Sequence, residues 1–180
     1  LAAMPDEFKI KLDSLKWIAY APTHFNPDAE QYPSYPSIEK DLKVLLNAGF
    51  NGLISYGSLN TLASIPKIAK ELDFKGVIMG VWDIFDKNEL NNAAVMSKYV
   101  DGYCVGNEGL YVRYNLEELK SVMDYLKKST HKPVTTTEQI TDYAKKDVME
   151  LGDWAFPNVH PFLCGVKSPF KAVEWIKKYC

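Results

Sequence analysis

The heptapeptide Gly76-Val77-Ile78-Met79-Gly80-Val81-Trp82 contains no charged, amide or hydroxyl side chain. A strand with one face in water alternates apolar and polar residues, whereas an uninterrupted apolar run suits a strand covered on both faces, as in a parallel sheet. Helical patterns flank this run, with an apolar stripe over residues 62–72 before it and a second helix predicted over 87–99 after it. The stretch therefore predicts a βα unit within a parallel sheet.

The same alternation of strand and helix patterns extends along the whole chain. Five more strands are predicted at residues 17–20, 52–57, 101–106, 134–137 and 154–159. The remaining helices are predicted at about residues 38–49, 116–126, 141–151 and 169–179, with Ser37 and Asn115 as N-caps of the first two. Pro157 lacks an N–H group and makes the sixth strand irregular. Six βα units predict an α/β protein with helices outside a parallel sheet.

Two architectures fit six βα units. One is an open, doubly wound sheet of flavodoxin-like shape; the other is a TIM-type (β/α)8 barrel with about six of its units present in this chain. The length of 180 residues predicts one domain over residues 1–180. Length favours the open sheet, since a full barrel typically needs about 250 residues. The chemistry at the strand ends favours the barrel, which would then be incomplete.

The composition bounds the partners. A formal net charge of −2 leaves no basic surface for nucleic acid or an anionic membrane, and no apolar run is long enough to span a bilayer. Cys104 lies in an apolar strand pattern and is predicted to be a buried thiol. Cys164 and Cys180 would be able to pair in an oxidising compartment, and the sequence leaves that pairing open. The chain begins at Leu1 without a leader, so a secreted or periplasmic location after processing and a cytoplasmic one both remain open.

In both architectures the functional site lies beyond the carboxyl ends of the strands. The polar and aromatic residues predicted at those ends are Tyr20, Tyr56, Trp82, Asp83, Asn107, Glu108, Glu138 and His160. No glycine-rich dinucleotide or phosphate loop is present, so the sequence predicts no nucleotide cofactor. The three histidines are scattered without ligand spacing, so it predicts no metal either.

Glu108 and Glu138 follow neighbouring strands and carry the strongest chemical signal. Glycoside cleavage uses two carboxyl groups, one protonating the leaving oxygen and the other attacking the anomeric carbon or activating water. Flat side chains such as Trp82 would stack on sugar rings, and Asn107 would bond a ring hydroxyl. Ordinary structural roles compete with each assignment: a glutamate at a strand end is often a solvated loop residue, and a tryptophan there often only packs.

Several segments resemble glycoside hydrolase family 17, in particular its microbial β-1,3-glucanase and glucanosyltransferase branch. They are residues 17–22 (WIAYAP), 38–57, 105–108 (VGNE), 132–138 (KPVTTTE) and 158–162 (NVHPF). The resemblance covers essentially the whole chain and implies a TIM barrel that acts on β-1,3-glucan by a retaining mechanism, by hydrolysis or by transfer. It makes Glu108 the general acid/base and Asn107 the contact to the sugar 2-hydroxyl.

One element of that family's pattern is missing. The family's nucleophile is a glutamate after the seventh strand, and no seventh strand is predicted here. Glu138 follows the fifth strand, so the resemblance does not make it the nucleophile. It is predicted to be a cleft residue that binds substrate, as are the strand-end residues Tyr20, Tyr56, Trp82, Asp83 and His160. Three interpretations follow: an incomplete chain, which we favour; strands supplied by another chain; or a shortened barrel that binds glycan or uses Glu138 in a new role. An open barrel exposes two strand edges, so self-association through those edges is also expected.

Overall fold

The structure is a computed structural model that describes residues 4–179. Its strands are β1 (Trp17–Tyr20), β2 (Gly52–Ser55), β3 (Gly76–Val81), β4 (Gly102–Val105) and β5 (Val134–Thr135). Its α-helices are α1 (Asp6–Ser14), α2 (Tyr35–Asn47), α3 (Ile65–Glu71), α4 (Lys87–Val95), α5 (Leu116–Thr130), α6 (Lys146–Met149) and α7 (Pro169–Tyr179). Short 3-10 turns occupy Pro27–Ala29, Asn60–Ser64, Met96–Tyr99 and Asp142–Ala144.

The five strands form one parallel sheet in the order β1-β2-β3-β4-β5. Leu53 pairs with Ile18 on one side and with Val77 on the other, and Tyr103 pairs with Met79 and Val134. A doubly wound sheet contains a reversal of strand order, and this sheet has none. The flavodoxin-like alternative is therefore wrong, and the strands form the wall of a partial β/α barrel.

The sixth predicted strand is not a regular strand. Residues 154–159, called the sixth segment below, run beside β5 but join it by one parallel bridge, between Gln139 and Asn158. The Asn158 N–H donates to the carbonyl of Glu138 at 2.8 Å. Pro157, next to this bridge, has no N–H to extend the ladder. The sixth segment therefore lies beside β5 as predicted, with the irregularity that Pro157 was expected to cause.

The two faces of the sheet are covered differently. Alternate strand residues such as Leu53, Val77 and Tyr103 point outward into apolar clusters with α2, α3, α4 and α5. The intervening residues, such as Ile78 and Cys104, point inward and form a separate cluster. Period-two alternation therefore divides each strand between an outer helical layer and a barrel interior.

Helix α1, which the sequence analysis did not predict, plugs the lower end of the interior. Its Phe8 is buried and stacks edge-on against Trp154, with ring centroids 5.0 Å apart. The Trp17 ring lies across Gly52 and Gly76, where an added Cβ would stand 2.5 Å from the ring in each case. Both positions are therefore restricted to glycine by close packing.

A repeated contact secures the lower ends of the strands. A polar side chain stands just before β2 (Asn51), β4 (Asp101) and the sixth segment (Asp153). Each accepts, at 2.8 Å, a backbone N–H at or next to the start of the preceding strand. Asp101 also accepts hydrogen bonds from Lys11 at 2.8 Å and Lys70 at 2.6 Å. These bonds join neighbouring strands at the end of the barrel where the strands begin. In β/α barrels this end contributes to stability, whereas the opposite end carries the functional site.

Two helix predictions require correction. The side chain of Ser34, not Ser37, caps α2, because its Oγ accepts the N–H of Ser37 at 3.3 Å. The helix predicted over 141–151 is interrupted at Lys145, whose extended backbone separates a 3-10 turn from the short α6. The Asn115 cap is confirmed and forms a reciprocal capping box with Glu118.

The cysteines and helices bear on two further predictions. Cys104 is buried as predicted, and burial raises the pKa of its thiol. The open question of a Cys164–Cys180 pair falls on Cys180, which lies outside the described residues. Within the described range, no helix combines the length and the apolar character needed to cross a membrane.

Candidate active site

The loop from Gly106 to Tyr114 leaves the carboxyl end of β4 and carries the main candidate residues; it is called the β4 loop below. Gly106, Glu108 and Tyr111 have φ values of 75°, 49° and 65°, in the left-handed region that residues other than glycine seldom adopt. Such conformations persist where surrounding contacts over-determine the backbone, and they concentrate at functional sites. Glu108 is therefore held in a specific orientation rather than solvated in a free loop.

Two contacts orient Glu108. Its N–H donates to the carbonyl of Thr137 at 2.9 Å, which ties the β4 loop to the end of β5. Its Oε1 lies 2.7 Å from Nε2 of His160, which follows the sixth segment. The Glu108 side chain is 25% exposed and that of His160 47% exposed, so the pair borders solvent and a ligand can reach it.

Asn107 is oriented by a residue that the sequence analysis did not single out. Nδ2 of Asn158 donates to Oδ1 of Asn107 at 3.1 Å, and Oδ1 of Asn158 accepts from the Thr137 hydroxyl at 3.0 Å. The Arg113 guanidinium donates to the Asn107 carbonyl at 2.6 Å. Asn158 stands two positions before His160 in the NVHPF segment, so that motif contained the signal.

Glu138 lies beneath the site. It is 0% exposed, and its carboxyl group accepts from the Tyr114 hydroxyl at 2.7 Å, the Thr136 hydroxyl at 3.0 Å and the Leu110 N–H at 3.1 Å. The sequence placed Glu138 among the cleft residues, whereas the structure encloses its side chain under the β4 loop. A carboxyl group so enclosed does not meet a ligand in this conformation.

An aromatic surface lies on the other side of the β4 loop. Tyr56, 44% exposed, and Trp82, 43% exposed, meet edge-on with ring centroids 6.4 Å apart. The Arg113 guanidinium stacks on the Trp82 ring at 5.1 Å and on the Tyr114 ring at 5.5 Å. Two half-exposed rings at strand ends form a platform suited to the apolar face of a planar or cyclic ligand.

The platform forms one wall of a cavity of about 570 Å³ beyond the ends of β1, β2 and β3. Its walls include Phe25 and Tyr32, whose rings lie 5.6 Å apart, and its lining includes Glu89. Glu89 is 3% exposed and accepts the Trp82 N–H at 2.7 Å and the Ser58 hydroxyl at 3.2 Å. Burial raises the pKa of Glu89 to about 7, against the opposing effect of these hydrogen bonds. This residue also escaped the sequence analysis, because it lies on α4 rather than at a strand end.

A smaller cavity of about 40 Å³ opens into the barrel interior and shares Tyr56 with the larger one. It is bordered by Asn107, Asn158, Thr137 and Phe156, and none of its lining residues is acidic. Among the residues that the structure describes, no three acidic, histidine or cysteine side chains come together as a metal site would require.

Of the eight predicted site residues, Tyr56, Trp82 and Asn107 line these cavities and the other five do not. Tyr20 is buried in the outer cluster, and its hydroxyl donates to Asp41 at 3.0 Å. Asp83 is exposed and accepts the N–H of Phe85 at 2.9 Å, closing its own turn. Alternation along β1 directs Tyr20 outward, since the neighbouring Ala19 faces the interior. The structure thus brings together Asn107, Glu108 and His160, with Tyr56 and Trp82 beside them.

The fold has counterparts among solved structures. Two structures of a glycoside hydrolase family 17 β-1,3-glucanosyltransferase from Rhizomucor miehei, one of them an active-site mutant in complex with laminaritriose, superpose with a TM-score of 0.74 at 19% identity. The alignment covers 92% of this chain and 64% of theirs. N-acetylneuraminate lyase from Mycoplasma synoviae superposes with a TM-score of 0.59 at 11% identity, covering 88% of this chain and 60% of that one.

No protein-family model matches the chain, and no curated protein matches it. The chain spans about two thirds of the length of the glucanosyltransferase chains, at 64%. The resemblance to family 17 inferred from sequence motifs is confirmed at the level of the fold, since structures of that family superpose over nearly the whole chain. The predicted barrel architecture is confirmed by the same superposition and by the sequential parallel sheet.

Proposed function

We propose that this chain is the glucan-binding, acid/base-bearing part of a retaining glycoside hydrolase or transglycosylase that acts on β-1,3-glucan. The observation that carries the proposal is the setting of Glu108. It stands at the carboxyl end of a barrel strand, in a left-handed backbone conformation, with its carboxyl group 2.7 Å from His160. Barrel enzymes place catalytic groups at these strand ends.

Glu108 takes the role of general acid/base in this proposal. A general acid needs a fixed orientation toward the glycosidic oxygen and access to the substrate. The bond from its N–H to Thr137 supports the first requirement, and its partial exposure supports the second. His160 then holds the Glu108 carboxyl group in place and supplies a second hydrogen-bonding group at the same point.

Asn107 and the aromatic platform bind substrate in this proposal. Asn158 holds the Asn107 side chain through Oδ1, which leaves the Asn107 Nδ2 donor for a sugar hydroxyl. Tyr56 and Trp82 stack on sugar rings in the larger cavity, whose about 570 Å³ exceeds what a single ring fills. The solved structure that contains laminaritriose supports a β-1,3-linked oligosaccharide as the ligand class.

A second candidate function is glycan binding without cleavage. A retaining mechanism places its two carboxyl groups about 5–5.5 Å apart. The cavity beside Asn107 has no acidic lining residue, and Glu138 is enclosed beneath the β4 loop. In this alternative the described residues bind the oligosaccharide, and turnover requires a carboxylate from beyond them.

The test compares the parent chain with Glu108→Gln, using laminari-oligosaccharides and mass spectrometry of the products. Glu117→Gln, an exposed residue in the first turn of α5, is the matched control. The enzymatic proposal predicts shorter or transferred products from the parent and the control, and a loss of roughly 100-fold or more in Glu108→Gln. Proton NMR of the first product should show the β-anomer, since a retaining mechanism preserves configuration.

Binding is measured in parallel by titrating laminaritriose against tryptophan fluorescence. Binding without products from the parent would favour the second candidate function over the first. Equal turnover by Glu108→Gln would refute the role of Glu108. An absence of both binding and products at millimolar oligosaccharide would refute both candidates.

A further inference from the structure

Glu138 combines complete burial with three hydrogen bonds to its carboxyl group. Two of the donors, the Leu110 N–H and the Tyr114 hydroxyl, belong to the β4 loop. The third, the Thr136 hydroxyl, belongs to the chain just after β5. A buried carboxylate is costly unless its lone pairs are used, and here both oxygens have donors. Glu138 therefore joins the β4 loop to β5 from below.

Tyr114 extends this connection to the residue that follows Glu108. Its hydroxyl accepts the Gly109 N–H at 3.2 Å and donates to Glu138 at 2.7 Å. Burial, together with the hydrogen bond to Glu138, raises the pKa of Tyr114, so the hydroxyl keeps the proton that it donates. The chain of contacts runs from the Glu138 carboxylate through Tyr114 to the backbone next to Glu108.

The Tyr114 ring also packs against the backbone of the β4 loop. A Cβ added at Gly106 would lie 2.3 Å from the Tyr114 hydroxyl oxygen, and one added at Gly109 would lie 2.3 Å from a carbon of its ring. Gly106 has a φ of 75°, so both its conformation and its contact with Tyr114 require glycine. The loop is thus wrapped around Tyr114, and Glu138 holds Tyr114 in place.

We propose that Glu138 is a positioning residue that fixes the β4 loop so that the Glu108 carboxyl group faces His160. The inference deepens the proposed function, and its catalytic part rests on that function. Glu138 meets neither substrate nor the reacting atoms; it acts through Tyr114 and Leu110. Glu138 was predicted from its strand-end position to be a cleft residue; in this proposal it instead sets the orientation of the acid/base Glu108.

The test uses Glu138→Gln, which retains the side-chain shape but replaces one acceptor oxygen with a donor. Either the Leu110 N–H or the Tyr114 hydroxyl then loses its acceptor. Asp153→Asn is the matched control, because Asp153 accepts the N–H of Val134 at the opposite end of the same strand. The readout is the ¹⁵N-labelled imidazole resonance of His160, calibrated with Glu108→Gln, which removes the carboxylate that His160 meets.

Positioning predicts that Glu138→Gln shifts the His160 ring resonance in the same direction as Glu108→Gln does, and that Asp153→Asn does not. Tyr114→Phe deletes the linking hydroxyl alone and should shift the same resonance. It serves as the second variant if Glu138→Gln does not fold. Oligosaccharide kinetics should show kcat lowered roughly 10- to 100-fold in Glu138→Gln with KM within about twofold, as expected for a misplaced catalytic group.

The outcomes separate this inference from the proposed function. A shifted His160 resonance in a chain without turnover would support positioning while contradicting the enzymatic proposal. An unshifted His160 resonance in folded Glu138→Gln or Tyr114→Phe would overturn positioning, whatever the activity. Equal shifts in Asp153→Asn would also overturn it, because they would trace the effect to general loosening of β5.

Discussion

Nε2 of His160 lies 2.7 Å from Oε1 of Glu108, although 52 positions separate the two residues in the chain. One follows the sixth segment and the other follows β4, and they meet because parallel strands end at one rim of the barrel. The contact identifies His160 as the immediate partner of the candidate acid/base.

His160→Ala should therefore reduce turnover of laminari-oligosaccharides more than it reduces stability. Losing the partner that orients Glu108 should lower kcat roughly tenfold. The His160 side chain is half exposed, so the melting temperature should change by no more than about 2 °C. Steady-state kinetics and thermal unfolding measure the two effects. His131→Asn, at the opposite end of the barrel, controls for loss of a histidine, and an unchanged kcat in His160→Ala would contradict the assignment.

Glu89→Gln should change the pH dependence of stability. Burial raises the pKa of Glu89 from 4.5 to about 7, so between these values the folded state binds more protons than the unfolded state. The contribution of Glu89 is fully present below pH 4.5 and is lost as pH rises through about 7. The loss is on the order of 3 kcal/mol.

Urea unfolding of the parent and of Glu89→Gln from pH 4.5 to 8 measures this effect. Gln is the suitable replacement because it retains an acceptor for the Trp82 N–H without titrating. The parent should lose stability relative to Glu89→Gln over that range. Parallel pH profiles for the two proteins would count against a buried, titrating Glu89.

Asp101→Asn should destabilise the lower end of the barrel. Burial alone would raise the pKa of Asp101, but hydrogen bonds from Lys11, Lys70 and the Val77 N–H outweigh it and hold that pKa below its usual value. Removing the charge breaks the ion pairs of Asp101 with Lys11, which keeps Glu7 as a partner, and with Lys70, and should cost on the order of 2–4 kcal/mol at pH 7.

This stabilisation is present above the ordinary aspartate pKa and is lost as pH falls through the lowered value. The gap between parent and Asp101→Asn in urea unfolding should therefore stay constant from about pH 5 upward and narrow below about pH 4. Asp73→Asn is the control, because Asp73 forms an exposed ion pair with Lys75 and its loss should cost well under 1 kcal/mol. Equal costs for the two variants would contradict this account.

Trp82→Ala should weaken oligosaccharide binding. The ring provides half of the aromatic platform and the stacking surface for Arg113. Its loss should raise the Kd for laminaritriose roughly tenfold, the equivalent of about 1.4 kcal/mol. Isothermal titration measures the change. Tyr125→Ala, an exposed aromatic residue on α5, should leave Kd unaltered, and an unaltered Kd in Trp82→Ala would exclude the platform from binding.

Self-association through the open edges stays a prediction. β1 lies at one edge of the described sheet, and Ala19 on β1 is exposed although it faces the barrel interior. Unpaired strand edges favour pairing with another chain. Sedimentation equilibrium should show mass rising with concentration in the micromolar range, and Ala19→Lys should reduce the rise. A constant monomer mass up to about 100 µM would refute the prediction.

Local pattern was sufficient where one element decided the outcome. The apolar run of β3, the stripe of α5 with its Asn115 cap, and the burial of Cys104 all follow from periodicity and capping within a few residues. Burial on both faces leaves the same signal wherever such a strand stands in the sheet. The position of Asn107 and Glu108 at the end of β4 could be predicted for the same reason, because the strand before them is an apolar run.

Tertiary packing decided what those patterns left open. Strand order, and so the choice of barrel over open sheet, depends on pairing between residues 24 to 35 positions apart, which composition does not encode. The sixth segment is irregular because Pro157 interrupts its pairing with β5. The role of α1 emerges only from the packed structure, in which its Phe8 fills one end of the barrel interior.

The candidate site divides along the same line. The sequence by itself determined which residues stand at the strand ends, because alternation and strand termini are local properties. Only the tertiary structure decided their roles: Glu108 meets His160, Asn158 holds Asn107, and Glu138 is enclosed beneath the loop. Whether a strand-end side chain reaches the cleft depends on what the neighbouring loops place over it, and that is a property of the packed barrel.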